Sequence, residues 1–154
     1  MSAATNFQRN KMVRDARWAA ANQLPIHYAE TRPIPLHIGR RHLPFTTDCS
    51  GFVTMLAYWA GMSDPNGANY SGWGYTGTLL NHLPHISRKD ARYGDLVVFG
   101  NGTGNHVVML LQTVKRHSNP LVVSHGWEGE PAIMTLSVQQ AGQGGDTRYL
   151  RSQR

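Results

Sequence analysis

A second cysteine is missing from this chain. Cys49 stands alone, so no internal disulfide can form, and its thiol is there either for packing or for reactivity. Also missing is any run of about 18 apolar residues, which removes a membrane-spanning helix. Residues Met1 to Asn10 are polar and hold no apolar core of signal-peptide length. The expectation is synthesis in the cytoplasm without a signal peptide, with any action outside the cell needing release or carriage. The net charge of +6 and pI near 9.9 ask for an acidic partner. Nucleic acid and an anionic bacterial wall both qualify. The cations are scattered, however, over Arg9, Lys11, Arg14 and Arg17, over Arg32, Arg40 and Arg41, and over the carboxyl-terminal arginines. No block of five like charges and no nucleic-acid-binding signature accompanies them, so nucleic acid is the weaker choice.

What is present suits one globular domain spanning 1–154. The 154 residues, 40% hydrophobic and 16% charged, can bury a core without staples. Thr5 or Asn6 can cap a first helix reaching about Asn22, whose Met12, Val13, Ala16, Ala19 and Ala20 share an arc of about 120°. Its basic residues lie outside that stripe and read as a solvated face. Residues 1–24 then form a helical extension. From Gln23 to Thr47 no clean period appears, and Pro25, Pro33, Pro35 and Pro44 interrupt the chain. Irregular chain of that length inside a domain wraps a surface or carries function.

A second helix is expected from Cys49 to Ala60, capped by Asp48 and stopped at Gly61. Its positions are nearly all apolar, so it is central and buried. A turn at Asp64-Pro65-Asn66-Gly67 leads to a loop rich in glycine and aromatics, followed by a short helix around Leu79 and Leu80. Strands follow at Asp95–Phe99, His106–Leu111, Leu121–His125 and Ala132–Val138, with a short last one at Arg148–Leu150. Helices first and successive strands later make an α+β protein in which the cysteine-bearing helix packs on an antiparallel sheet.

In the first turn of its helix the Cys49 sulfur meets unpaired N–H groups and the positive end of the helix dipole, a setting that favours thiolate. A nucleophilic cysteine also needs a base and a group to orient that base. Of eight histidines, six lie in loops or near prolines. His106 opens one sheet strand and His125 closes the next. If those strands form a hairpin turning near residues 114–117, His106 faces His125, Val108 faces Val123 and Leu110 faces Leu121. Opposed side chains have Cβ atoms about 4.5–5.5 Å apart, and a slip of one residue would send the imidazoles to opposite faces. Other readings stand beside this one: Cys49 as inert core, either histidine as an ordinary strand-end residue, and a Cys–His–His zinc site, which lacks CxxC spacing.

Asp48-Cys49-Ser50-Gly51-Phe52-Val53, Gly94-Asp95-Leu96-Val97-Val98-Phe99, His106-Val107-Val108 and Ser124-His125-Gly126 together resemble, in order and spacing, the NlpC/P60 family of cysteine peptidases. The resemblance covers about residues 25–150. It implies a papain-like α+β core and cleavage of bacterial peptidoglycan stem peptides, typically between D-γ-glutamate and the following diamino acid. It also implies Cys49 as nucleophile, His106 as base, His125 as the group orienting the base, and Tyr28 as an aromatic beside the nucleophile that helps the oxyanion. Asp48 and Ser50 resemble positions that contact the substrate's amino end in some members. No metal or organic cofactor is implied. Val108 departs from the pattern, since glycine often stands two residues after that histidine.

The loop Asn69 to Gly77 resembles versions carried by bacteriophages in lysins and tail-associated wall hydrolases. A phage tail, or holin-dependent release, would then supply the route to the wall. Three alternatives remain open. The chain could be a thiol acyltransferase or amidase on the same triad, a non-catalytic wall-binding module, or a phage structural module.

Overall fold

The computed structural model describes residues 2–154. Helix α1, Asn6–Ala21, begins in a reciprocal cap: the Gln8 N–H donates to Thr5 Oγ1 (3.1 Å) and the Thr5 N–H to Gln8 Oε1 (3.0 Å). Its inner face buries Met12, Ala16 and Ala19, as the periodicity requires. It also buries Asp15 and Arg9, and the burial of Arg9 corrects the reading of its basic residues as a solvated face. Arg9 pairs with Asp95 at 2.8 Å, and Asp15 accepts from Arg40 (3.0 Å) and Arg41 (2.8 Å). A buried charge survives only when paired, and both of these are.

The irregular stretch is more ordered than its composition suggests. Strands β1, Ile26–Tyr28, and β2, Phe45–Thr47, form a short parallel pair in which Tyr28 stands opposite Thr47. That pairing carries Tyr28 to the start of helix α2, Cys49–Trp59. Helix α3, Thr76–His82, follows the aromatic loop. The remaining elements build one sheet: β3 (His85–Ile86), β4 (Leu96–Phe99), β5 (His106–Leu110), β6 (Leu121–Ser124), β7 (Ala132–Thr135) and β8 (Thr147–Leu150), with helix α4 (Leu136–Gln143) between the last two. The strand order is β3-β8-β4-β5-β6-β7 and every neighbouring pair is antiparallel. The closing strand β8 thus lies inside the sheet.

The expected strand over Ala132–Val138 stops early. Leu136 is buried while Val138 is exposed, a split that two residues on one face of a strand cannot show. The Leu136 N–H donates instead to Pro120 O (2.8 Å) and the chain turns into α4.

Both faces of the sheet are covered. Leu96, Val98, Val107, Met109, Val123 and Leu150 pack with Phe52, Val53, Met55 and Leu56 of α2. Val97, Phe99, Val108, Leu110, Val122 and Tyr149 form a second core with Leu136 and Val114. Val108, the departure from the family pattern, therefore fills this second core, away from α2. Among the described residues no helix is long and apolar enough to cross a membrane.

Candidate active site

Asp48 caps α2 through its Oδ1, which accepts the Gly51 N–H at 2.8 Å. Gly51 makes this approach possible, because a Cβ there would lie 2.0 Å from Thr47 Oγ1. The cap sets Cys49 at the head of a buried helix with the residue 7% exposed. Burial pushes the thiol up to about 11; the N–H groups of Val107, Ser50 and Cys49 itself pull the other way, and the Asp48 charge adds to the rise. The first-turn position alone suggested a depressed value. Desolvation of the thiolate outweighs it.

The Val107 N–H beside the sulfur places Cys49 at the start of β5, next to His106. Burial, and less so the neighbouring His125, lowers the His106 imidazole to about 4. Thiol and imidazole are thus both neutral at rest. No hydrogen bond joins them among the described residues. The lowered His106 has a measurable consequence. Between its ordinary value of 6.5 and about 4 the unfolded chain binds a proton that the folded one refuses. Stability should fall by roughly 3 kcal/mol across that interval. Urea unfolding at pH 7 and pH 4.5 should show the loss, and His106→Gln should flatten the slope.

The ladder does not pair the two histidines. Val108 stands opposite Ser124, Met109 opposite Val123 and Leu110 opposite Val122, one residue out of the expected register. The connection over 111–120 holds a 3-10 turn at Val114–Arg116 instead of a short hairpin loop. The expected consequence of such a slip follows. His106 shares its side of the ladder with Ser124, and its Nε2 lies 3.0 Å from Ser124 Oγ. Ser124 Oγ donates to Glu130 Oε2 at 3.1 Å, and the Gly126 N–H donates to the same oxygen.

His125 turns to the α2 side. Its ring meets Phe52 and Tyr28 edge-on, with centroids 5.6 Å and 5.3 Å away, and its Nε2 donates to His27 O at 3.2 Å. His125 is therefore not the hydrogen-bond partner of His106, which corrects the orienting role expected for it.

Tyr28, opposite Thr47 in the β1–β2 pair, comes near Cys49. Burial raises its hydroxyl, and the neighbouring acidic groups of Cys49 and Asp48 raise it further, so it remains a donor at neutral pH. Asp48 and Ser50 are engaged by a residue that sequence reasoning passed over. Arg32 donates Nη2 to Asp48 Oδ2 (3.0 Å) and Ser50 Oγ (3.1 Å), Nη1 to Asp48 Oδ1 (3.3 Å) and Thr31 O (2.8 Å), and Nε to Gly74 O (2.9 Å). All five of its N–H groups are used. The last of these bonds ties the aromatic loop to the cap of α2.

Exposed Trp73 precedes Gly74 in that loop, and exposed Trp127 follows Gly126. Ser124 and Glu130 were also passed over. Ser124 lies within a quoted motif, and the right register would have singled it out. Among the described residues no group of three or more His, Cys, Asp or Glu side chains is placed to hold a metal ion.

Residues 36–146 match the sequence profile of the NlpC/P60 family. No curated protein sequence matches the chain significantly. Among solved structures, NlpC2 from Trichomonas vaginalis has a TM-score of 0.57 at 15% identity, covering 98% of this chain and 51% of that one. The peptidoglycan hydrolase RipB from Mycobacterium tuberculosis gives 0.53 at 19% identity, with 98% and 69% covered. The resuscitation promoting factor interacting protein RipA, in a form mutated at a cysteine, gives 0.54 at 14%, with 99% and 70% covered. The chain thus spans about half the length of the first. These likenesses are of fold, a papain-like arrangement of helices on an antiparallel sheet. The profile spans most of the sequence and takes in Cys49, His106 and Ser124-His125-Gly126, and the protein belongs to the NlpC/P60 family.

Proposed function

We propose that the protein is a cysteine endopeptidase that hydrolyses peptidoglycan stem peptides, at the bond between D-γ-glutamate and the following diamino acid. The observation that carries this reading is the placement of Cys49: a thiol at the capped start of a buried helix, against the His106–Val107 peptide, with Tyr28 beside it. The Cys49 sulfur attacks the amide carbonyl while His106 takes its proton. His106 then protonates the departing amine as the C–N bond breaks, leaving a thioester. Water, giving a proton to the same imidazole, attacks the thioester; the acyl group leaves as a carboxylate and the thiol is restored. The Cys49 N–H and the Tyr28 hydroxyl hold the developing oxyanion. In this reading Asp48 and Ser50 shape the wall of the substrate cleft through Arg32.

Family membership and the likeness in fold to RipB, a peptidoglycan hydrolase, support the substrate class. So does the charge. Away from Cys49 and His106, Lys89, Arg92, Lys115, Arg116 and Arg151, with Asp90 among them, line a cleft of about 700 Å³, and a basic surface draws a protein toward an anionic wall. The aromatic loop and its phage-like composition fit an enzyme carried on a virion or freed at lysis.

The test is digestion of purified peptidoglycan with the whole chain, followed by mass spectrometry of the soluble fragments. Fragments beginning with a free diamino acid amine are expected. Fragments ending at sugar or at alanine would move the cut elsewhere. The raised thiol favours one rival, a wall-binding module that kept the fold and lost the chemistry. It predicts sedimentation with the wall and no fragments at all.

A further inference from the structure

We infer that Ser124 and Glu130 are the positioning residues that fix His106 in the tautomer the reaction needs. This rests on the reading of Cys49 and His106 above, and it follows from donor and acceptor accounting. Glu130 Oε2 receives the Gly126 N–H, which can only donate, so that oxygen is an acceptor. It also receives Ser124 Oγ at 3.1 Å, so the single serine proton is spent there. Ser124 Oγ can therefore meet His106 Nε2, 3.0 Å away, only as an acceptor. Nε2 must carry the ring proton. Nδ1 is left without a proton, the acceptor that the proposed transfer from Cys49 needs.

The chain of bonds is sealed from water. Ser124 is 1% exposed, and His106 and Glu130 are 5% exposed. Phe99 lies nearly parallel to the imidazole, with an interplanar angle of 16° and centroids 6.4 Å apart, and limits its tilt. Gly126 lets the carboxylate come close, since a Cβ there would stand 3.2 Å from Glu130 Oε2 and 3.3 Å from His106 Cε1. When His106 takes the thiol proton, its Nε2–H points through the serine hydroxyl toward a carboxylate. That arrangement stabilises the imidazolium in the transition state, as the acid member of a triad does, with a hydroxyl interposed. Of the titratable groups near His106, His125 acts against its protonation.

The experiment joins a spectroscopic readout with kinetics on wild type, Ser124→Ala, Ser124→Thr and Glu130→Gln. Nitrogen-15 correlation spectra of the histidine rings should show wild-type His106 protonated at Nε2. Ser124→Ala should show a mixture of tautomers, and Ser124→Thr, which keeps the hydroxyl, should restore the single form. On a soluble stem peptide, Ser124→Ala and Glu130→Gln should each lose about 10²-fold in kcat, with KM within about twofold of wild type. Ser124→Thr guards against a misfolded alanine variant, because its recovery ties the loss to the hydroxyl. A wild-type enzyme that is active with His106 protonated at Nδ1 overturns the relay alone, as does a Ser124→Ala enzyme with unchanged kcat and tautomer. A wild-type chain that cleaves nothing overturns the functional reading and the relay's catalytic role with it.

Discussion

Cys49→Ala should fold as the wild type does and release nothing from purified peptidoglycan. The expected loss is on the order of 10⁶ in kcat, the scale seen when the nucleophile of a triad is removed. The fold should tolerate the change because the substitution deletes one sulfur at the edge of the core. The helix is held by Asp48, Gly51 and its apolar face, not by the thiol. Circular dichroism and a thermal melt would show the fold intact, and fragment analysis would show the loss. Full activity in this variant would sink the mechanism.

Cys49→Ser should be nearly as inactive. The thiol is raised to about 11 and His106 lowered to about 4, so proton transfer must accompany attack, and a serine hydroxyl is harder still to deprotonate. For the same reason, alkylation of wild-type Cys49 by iodoacetamide should be slow at pH 6 and climb steadily toward pH 10. A plateau already reached at pH 6 would mean a resting thiolate–imidazolium pair.

The largest effect on stability should come from breaking the ion pair between α1 and the sheet. Arg9 and Asp95 are both fully buried and 2.8 Å apart. Asp95 Oδ1 also accepts the Ser152 N–H (3.0 Å), Oδ2 accepts the Arg92 N–H (2.8 Å), and Arg9 Nη1 donates to Tyr93 O (2.9 Å). One carboxylate therefore ties together the first helix, the entry to β4 and the end of the chain. Asp95→Ala leaves the Arg9 charge buried without a partner, and Arg9→Ala leaves Asp95 only Arg151, 3.7 Å away; each change costs about 3–5 kcal/mol. Total stability is on the order of 5–15 kcal/mol, so either change brings the domain near unfolding. Urea midpoints would measure it. The double variant Arg9→Met/Asp95→Asn should recover a large part of the loss, since two neutral groups replace one stranded charge. A single variant costing under about 1 kcal/mol would contradict this account.

That pair shows how the sequence could mislead as well as inform. Helix α2 was legible because three local signals agree: an Asp cap, a nearly continuous apolar run and a glycine stop. Asp95 was visible only as part of a family motif. Its structural task could not be read, because its partner lies at position 9 and helical periodicity places Arg9 among polar neighbours. The strands were legible from their β-branched runs, yet the register of β5 against β6 was not. No two-residue turn pins it, and the long connection allows either alignment. One residue of error exchanged Ser124 for His125 beside His106, and with it the chemistry of the orienting group. Glu130 reaches Ser124 only because the chain reverses over 126–130, which no period encodes. Arg32 escaped notice for a related reason. It meets Asp48 across an irregular segment whose path is set by tertiary packing.

The position of β8 bears on when activity can begin. Residues 147–150 are hydrogen bonded on both sides, to β3 and to β4. A nascent chain whose residues 147–152 are still inside the ribosome tunnel can form α1 and α2 but cannot join β3 to the sheet or seat Ser152 against Asp95. Domains complete such arrangements only as their last residues emerge during translation. Cys49 and His106 are then made early and locked into one frame late, so the candidate site closes only once residues 147–152 have joined the sheet.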